Sequence, residues 1–208
     1  MSLNPKIMGK IILVRHGETN KNIGRVLHHS KDTESLSSSG IEQINFAAEK
    51  LKSYSPDSIF SSKEQRAKDS SAIISKVLGL SFTTMDGLQE RNWGIYSGKS
   101  WDEVAQVLDK MNLDKRYNYS PPDGESWKIF ETRLIKAITT ITTINPDKTT
   151  ILVTHGGAIR ALMPFLLNLP KEESFKYDPS NASLTIFNYK NNIFTPETIN
   201  DCSHLSQT

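Results

Sequence analysis

Cysteine is nearly absent from this 208-residue chain, which has only Cys202. A single thiol cannot form a disulfide within the chain, so a disulfide-stabilised secreted fold is excluded. Long apolar runs are absent as well, since no stretch of about 18 apolar residues offers a membrane-spanning helix. The N-terminus also lacks the charged-then-apolar pattern of a secretory signal. These absences predict a cytoplasmic protein that has no membrane partner.

An excess of one charge is missing too. The 25 lysines and arginines nearly balance the 23 aspartates and glutamates, which gives a net charge of +2. A surface that binds nucleic acid would need a strongly basic face, so no nucleic-acid partner is expected. A few arginines focused in one pocket can still attract a small anion. The composition leaves the oligomeric state open, and a homodimer is one of the states it allows.

Two apolar runs in the chain each lead to a histidine that is followed by a glycine. The first run covers residues 11–14 and leads into Arg15 and His16, and the second covers 151–153 and is followed by His155. Continuous apolar runs of this length are typical of buried strands in parallel sheets. Ligands of such sheets bind outside the carboxyl ends of the strands. The sequence therefore predicts an anion site where the two histidines meet.

Strand and helix patterns alternate along the chain, which favours an α/β fold with a mostly parallel sheet. Ser39 and Glu42 have the spacing of a capping box, and Gly79 is placed to end a helix. We expect a single domain over residues 1–208. Its lid-like insertion, at about 86–126, should hold loops and one helix over the site. The predicted strands lie near 10–15, 57–61, 80–85, 151–154, 182–189 and 193–198, and the predicted helices near 39–53, 63–78, 101–109, 126–144 and from 158 onward.

These residue types suit the handling of a phosphate monoester. Arginine binds phosphate through paired hydrogen bonds from its planar fork, and Arg15 and Arg66 are the candidates. A neutral imidazole can attack phosphorus to form a phosphohistidine, which is the role expected of His16. His155 would stabilise charge on the transferring group from the opposite side. Asn22 could donate its amide to the same oxygens.

The leaving oxygen also needs a proton, and a carboxyl group supplies one when its surroundings disfavour the charged form. Glu90 is the preferred candidate, because it lies between a short apolar stretch and Trp93. Glu18 and Glu125 compete for this role. The two arginines and the second histidine already supply positive charge, so neither a metal nor another cofactor is required.

Several motifs occur in a fixed order along the chain. They are Arg15-His16-Gly17-Glu18-Thr19 with Asn22, Leu36-Ser37-Ser38-Ser39-Gly40 with Gln43, Ser61-Ser62 with Arg66-Ala67, Leu88-Gln89-Glu90 with Gly94 and Gly98, Gly124-Glu125-Ser126, and Thr154-His155-Gly156-Gly157. Together they resemble the signature of the histidine phosphatase superfamily, which contains phosphoglycerate mutases and many small phosphatases.

The resemblance implies a three-layer α/β/α sandwich of the phosphoglycerate mutase-like kind. It also implies that His16 is the nucleophile, that Glu90 is the proton donor, and that a phosphate pocket is formed by Arg15, Asn22, Arg66, His155 and Gly156. One departure is visible, because many relatives have a Gln-Gly pair where this chain has His28 and His29. His28 could replace that glutamine as a phosphate donor. Adjacent loop residues rarely ligate one ion together, so a metal site at this pair is not expected.

The leading hypothesis is a metal-independent phosphatase that acts on a small phosphorylated metabolite through a phosphohistidine on His16. The alternative is a cofactor-dependent phosphoglycerate mutase, which would need a tighter lid and more cationic groups around the substrate carboxylate. The short insertion favours the phosphatase. So does the Asn20-Lys21-Asn22 segment, which lacks the tryptophan that many relatives carry there. A phospho-ligand-binding protein without catalysis would lack the nucleophile or the acid, and both are present. A protein phosphatase would need a mouth wide enough for a peptide.

Overall fold

Six strands form one central sheet in the computed structural model, which describes residues 8–29 and 31–205. The order across the sheet is β3-β2-β4-β1-β5-β6. The first four of these pair in parallel, whereas β5 pairs antiparallel with β1, and β6 with β5. The strands are β1 (Gly9–Arg15), β2 (Ser58–Ser61), β3 (Phe82–Thr84), β4 (Thr149–Thr154), β5 (Leu184–Lys190) and β6 (Ile193–Asp201).

Helices cover both faces of this sheet. Over the described ranges they are α1 (Asn20–Ile23), α2 (Ser38–Leu51), α3 (Gln65–Leu78), α4 (Trp101–Leu108), α5 (Leu113–Asn118), α6 (Trp127–Ile144) and α7 (Gly156–Leu167). Short 3₁₀ turns add Lys52–Tyr54, Gly94–Tyr96, Lys171–Lys176 and Ser203–Leu205. In the same ranges, no helix is both long enough and apolar enough to cross a bilayer.

The apolar run of β1 is buried on both faces of the sheet. Ile11 and Leu13 belong to the core formed with α6 and α7, while Ile12 and Val14 belong to the core formed with α2 and α3. All four side chains are fully buried. Because both faces of the strand are covered by helices, residues 11–14 are all apolar and the run contains no polar residue. This arrangement confirms the predicted three-layer α/β/α sandwich.

The register of β1 and β4 positions the site. The two strands are parallel neighbours, and Arg15 lies opposite Thr154. The residues that follow them, His16 and His155, therefore leave the sheet side by side. This confirms the expectation that the two His-Gly segments meet at the carboxyl edge.

The prediction of the start of α2 was wrong in detail. Ser37, not Ser39, is the N-cap, and its Oγ accepts a hydrogen bond from the Gly40 N–H at 3.0 Å. Ser39 and Glu42 lie inside the helix, so they do not form the expected capping box. Gly79 does end α3, with φ of +67° in the left-handed region that glycine adopts without steric cost.

Two short helices were missed by the sequence patterns. The polar stretch that follows β1 contains α1, where Thr19 and Asn22 form a capping box. The insertion contains α5 in addition to the predicted α4. Each is too short to show a helical apolar period. The insertion also has a small core of its own, built on Trp93, Val104 and Leu108. Parts of the single domain expected over residues 1–208, namely 1–7, 30 and 206–208, lie outside the described residues.

Candidate active site

His16 follows β1 directly and is 2% exposed. Its Nδ1 lies 2.7 Å from the carbonyl oxygen of Gly17, and its Nε2 lies 3.2 Å from Nε of Arg66. A guanidinium group only donates hydrogen bonds, so Nε2 must be the acceptor and Nδ1 must carry the ring proton. The tautomer that results presents an unprotonated Nε2 to the site.

The charge state of His16 suits a nucleophile. Burial lowers its pKa well below the usual 6.5, and the nearby guanidinium charges of Arg66 and Arg15 lower it further. The imidazole is therefore neutral at physiological pH. A neutral imidazole with an unprotonated Nε2 is the form that can attack phosphorus, once the N–H of Arg66 turns from that nitrogen to a phosphate oxygen.

Gly17 has a packing role at this point. A Cβ placed on it would lie 2.4 Å from the carbonyl oxygen of Gly40 and 2.8 Å from a side-chain carbon of Ile44. Glycine at this position therefore lets the turn after β1 approach α2 closely. Its N–H is held by Oγ of Ser70 on α3 at 3.1 Å, which fixes the turn that aims His16.

Arg15 and Arg66 lie near His16 from different elements. Arg66 projects from α3 and is 1% exposed. Arg15 donates through Nη1 to the carbonyl oxygen of Pro179 at 2.5 Å, and its Nε is buried without a partner among the described residues. A Cβ on Gly156 would lie 3.2 Å from that Nε, so the glycine lets the guanidinium pack against the start of α7. Both groups can offer fork-like N–H donors to one anion.

His155 caps the start of α7 and is fully buried. Its ring centroid lies 5.2 Å from that of His16. Its Nε2 lies 2.8 Å from Oγ of Ser62 and 2.5 Å from Oε2 of Glu64. Burial lowers the pKa of His155, although the carboxylate of Glu64 opposes this. The other ring nitrogen, Nδ1, is buried and has no partner among the described residues.

Glu64 is a site residue that sequence reasoning missed. It is 5% exposed, and its Oε2 accepts the backbone N–H of Glu90 at 2.9 Å as well as contacting His155. Burial raises the pKa of this carboxyl, but the N–H donors of His155 and Glu90 and the charge of Arg66 outweigh burial and hold it well below its usual range. The sequence gives no signal for this role, because a charged residue at the start of a helix ordinarily faces water.

Glu90 lies beside the start of α7. Its Oε2 accepts the N–H of Gly157 at 2.9 Å, and its Oε1 accepts the N–H of Arg91 at 2.7 Å. A Cβ on Gly157 would lie 2.3 Å from Oε1, so this position needs glycine for the carboxylate to fit. The apolar setting expected from the neighbouring sequence is not observed, because both carboxylate oxygens accept backbone N–H groups.

The two competing carboxylates lie elsewhere. Glu18 accepts a hydrogen bond from Oγ of Ser37 at 3.0 Å, beside the start of α2. Glu125 forms an ion pair with Arg133 at 2.6 Å and accepts the N–H of Asn92. Neither lines the central cavity, whereas Glu90 does. Of the three carboxylates weighed from the sequence, only Glu90 lines the same cavity as Arg15 and Arg66.

His28 lies at the cavity wall, with its ring centroid 6.1 Å from that of His16. Its Nε2 lies 3.0 Å from Oγ1 of Thr19. Burial, together with the charges of Arg66 and His155, lowers the pKa of His28 to about 3. The ring is therefore neutral, and its role as an outer phosphate donor stays a prediction.

His29 points away from this site. It is exposed, and its Nδ1 accepts the N–H of Lys31 at 2.9 Å. Across residues 8–29 and 31–205, no group of three or more histidine, cysteine or acidic side chains is arranged to hold a metal ion.

Asn181 is the second site residue that the sequence did not reveal. Its Nδ2 donates to the carbonyl oxygen of His16 at 3.1 Å and to Oδ1 of Asn22 at 3.2 Å. It thus joins the turn after β1 to the segment before β5. No motif marks it, because its partners are more than 150 residues away in the chain.

One cavity of about 450 Å³ brings these groups together. The predicted site residues that line it are Arg15, His16, Asn22, His28, Arg66, Glu90 and Gly156. His155 is not among the lining residues, and its ring lies beside that of His16. The outer wall adds the tryptophans Trp93, Trp101 and Trp127 and further cations, which are Lys21, Arg25, Arg91, Arg116 and Arg160. The cavity is therefore strongly positive, with an aromatic side.

A family model described as the histidine phosphatase superfamily (branch 1) matches residues 11–202. This chain belongs to the histidine phosphatase superfamily. Four of the motifs that carried the resemblance contribute residues to the lining of the cavity, among them Arg15, Arg66, Glu90 and Gly156.

Relatives within this superfamily include enzymes of both of its main activities. A 2,3-bisphosphoglycerate-dependent phosphoglycerate mutase of Thermoplasma acidophilum is 29% identical over 175 residues, which cover 84% of each chain. A phosphoserine phosphatase from Entamoeba histolytica, solved with phosphoserine, is 26% identical with a TM-score of 0.81, covering 95% of this chain and 100% of that one. A mycobacterial glucosyl-3-phosphoglycerate phosphatase is 25% identical with a TM-score of 0.79, covering 92% and 98%. The family model establishes the superfamily, and the relatives named here include both a mutase and phosphatases.

Proposed function

We propose that this protein is a metal-independent phosphatase that hydrolyses small phosphate monoesters through a phosphohistidine on His16. The observation that carries the proposal is the state of His16, which is neutral, buried and unprotonated at Nε2. Nε of Arg66 donates a hydrogen bond to that nitrogen, and Arg15 is the last residue of β1, directly before His16. The positive charge needed to bind a phosphate dianion is thus supplied by the chain itself.

The first half-reaction transfers the phosphoryl group to the enzyme. The oxygens of the ester bind Arg15 and Arg66, and Nε2 of His16 attacks phosphorus in line with the ester oxygen. A P–N bond forms as the P–O bond breaks, and the leaving oxygen takes a proton from the Glu90 carboxyl. His155 stabilises the equatorial oxygens, and each such donor contributes roughly 3 kcal/mol to the transition state.

The second half-reaction restores the enzyme. Glu90, now a carboxylate, removes a proton from a water molecule that attacks the phosphohistidine. The P–N bond breaks, inorganic phosphate leaves, and His16 returns to its neutral tautomer. Glu90 serves as acid and then as base, and its place on the wall of the cavity that His16 also lines supports both roles.

A mutase is the alternative, and the cationic outer wall is the observation that favours it. A mutase must keep water away from the phosphohistidine while the bound substrate reorients in the site. The insertion of this chain contributes only two short helices, α4 and α5, which supports the phosphatase instead. The cytoplasmic location stays a prediction, and a homodimer stays one of the allowed oligomeric states.

The deciding experiment is a substrate panel. We expect inorganic phosphate to be released from one or a few of phosphoserine, 3-phosphoglycerate and sugar phosphates, at a rate unchanged by a metal chelator. In parallel, 3-phosphoglycerate is incubated with and without 2,3-bisphosphoglycerate. Isomerisation that depends on the bisphosphate, with little phosphate release, would assign the chain to the mutases. A rate that is restored only by added metal would overturn the metal-independent mechanism.

The outer wall supports a substrate with a second anionic group. Arg160 pairs with Asp178 at 2.7 Å and Arg116 with Asp109 at 3.5 Å, and these aspartates are 89% and 70% exposed. Each arginine side chain is itself only about a quarter exposed or less. Burial lowers the pKa of Arg116, and the charge of Arg160 lowers it further. Two like charges lie close together with only solvent-facing partners, an arrangement that an anionic ligand would stabilise.

Arg160→Gln tests this substrate preference. We expect KM for phosphoserine or 3-phosphoglycerate to rise about ten-fold, because one charge-assisted hydrogen bond is lost. KM for p-nitrophenyl phosphate, which has no second anion, should change less than about two-fold. Lys136→Gln, at an exposed position of α6 outside the cavity, is the charge-matched control. Equal effects on both substrates would place Arg160 in phosphate binding instead.

A further inference from the structure

Glu64 is a buried carboxylate that the reaction described above does not use. A buried charge costs several kcal/mol unless it is paired, and apolar residues of similar size often stabilise a fold as well or better. Four groups surround its Oε2. They are Nε2 of His155 at 2.5 Å, the N–H of Glu90 at 2.9 Å, Nη2 of Arg66 at 3.4 Å and Oγ of Ser62 at 3.4 Å. Three of the four belong to residues placed in the catalytic or phosphate-binding machinery, which points to a role in function.

The contact with His155 fixes the protonation of that ring. An ionised carboxylate only accepts hydrogen bonds, so Nε2 of His155, 2.5 Å from Oε2 of Glu64 and 2.8 Å from Oγ of Ser62, must carry a proton that faces both oxygens. The opposite nitrogen, Nδ1, is fully buried and has no partner among the described residues. A buried polar atom without a partner costs about 1–3 kcal/mol. An arriving ligand oxygen could supply the partner, provided that Nδ1 also carries a proton.

We propose that Glu64 is a positioning residue, which holds His155 by Nε2 and stabilises its doubly protonated form when a phosphate dianion binds. His155 takes one proton from solvent as the dianion enters, and Nδ1–H then donates to a phosphoryl oxygen. The inference rests on the proposed function, because it assigns a task within the same site. The pair of Glu64 and His155 would thus act on the bound phosphate together with Arg15 and Arg66.

The charges that face His155 set the direction of its response to pH. In the empty site, burial and Arg66 lower the pKa of His155, while Glu64 and Glu90 raise it. The neutral ring of His16 lies 5.2 Å away and contributes no charge. A bound phosphate adds negative charge and raises the pKa of His155 toward neutrality. Removing the charge of Glu64 should lower that pKa again, so activity would be lost at a lower pH on the alkaline side.

Glu64→Gln is the test, because it removes the charge and keeps the shape. We expect kcat to fall about 30-fold while KM changes less than about three-fold, since outer partners of a catalytic histidine are typically worth 10- to 100-fold. The alkaline limb of the kcat profile should move to lower pH by about one unit. Glu64→Asp, which keeps the charge, should restore the position of that limb. An unchanged profile in Glu64→Gln would overturn the proposal and leave Glu64 a structural residue.

Two controls separate this inference from folding effects and from the proposed function. Glu131→Gln removes another poorly exposed carboxylate, which accepts the Tyr117 hydroxyl outside the cavity, and should leave the pH profile unchanged. Nitrogen NMR of His155 with inorganic phosphate does not depend on turnover. We expect a doubly protonated His155 in the phosphate-bound wild type, and in Glu64→Gln the ring should lose its second proton at a pH about one unit lower. A neutral His155 in the phosphate-bound wild type would overturn the inference, even if the phosphatase activity itself is found.

Discussion

His16→Ala is expected to lower phosphate release by about 10⁴-fold or more, because the reaction loses the atom that forms the covalent intermediate. That atom is Nε2 of His16, which is unprotonated, lies in the cavity and accepts a hydrogen bond from Nε of Arg66. The same variant should fail to become labelled when it is mixed with a phosphorus-labelled ester. The wild type should give a label that is stable to base and labile to acid, as a phosphohistidine is.

The fold should survive this substitution. Removing the ring leaves Nε of Arg66 without its partner, which costs about 1–3 kcal/mol, a fraction of the stability of an ordinary domain. Thermal unfolding followed by circular dichroism checks this. His29→Ala is the matched control, since His29 is an exposed histidine outside the cavity and its loss should leave the rate unchanged. A rate above about a tenth of wild type in His16→Ala, with the fold intact, would refute the assignment of the nucleophile.

Glu90→Gln should have the second largest effect, and the size of that effect should depend on the leaving group. For an alkyl ester such as phosphoserine we expect kcat/KM to fall about 10²- to 10⁴-fold, because the alkoxide needs a proton as it departs. For p-nitrophenyl phosphate, whose phenolate leaves without help, the fall should be less than about ten-fold. The measurement is kcat/KM for both esters with wild type and variant.

The structure also predicts a stability cost for Glu90→Gln. The carboxylate accepts two backbone N–H groups, from Gly157 and Arg91, whereas an amide has a single acceptor oxygen. One of the two N–H groups loses its partner, so unfolding should become easier by about 1–3 kcal/mol. Equal losses on both esters would point to another proton donor, and Asp178 is the other carboxylate that lines the cavity.

Much of the fold could be predicted because the apolar runs of β1 and β4 are buried on both faces. A run such as Ile11–Val14 leaves a chain few alternatives to the centre of a parallel sheet. The site residues that follow the strands were predictable for the same reason, since their positions are fixed by strand ends. The family resemblance then placed Arg66 and Glu90, which lie on other elements, beside His16.

What could not be predicted depends on contacts between distant parts of the chain. Glu64 is a surface-type residue by its sequence and becomes buried only because His155 and Arg66 close around it. Asn181 acquires its position from the turn after β1. The N-cap of α2 was misassigned because several serines in succession have similar propensities, and only the backbone shows that Ser37 lies just outside the helix.

The pairing of β1 with β4 has a consequence for how the enzyme becomes active. The two strands are immediate neighbours in the sheet, but the histidines that follow them, His16 and His155, are far apart in the sequence. A folding chain must therefore close a very long loop before both histidines can serve one phosphate, and contacts of such high sequence separation form slowly. Neither half of the chain holds a working centre alone. The rate at which catalytic activity returns during refolding would therefore report the rate at which β1 and β4 pair.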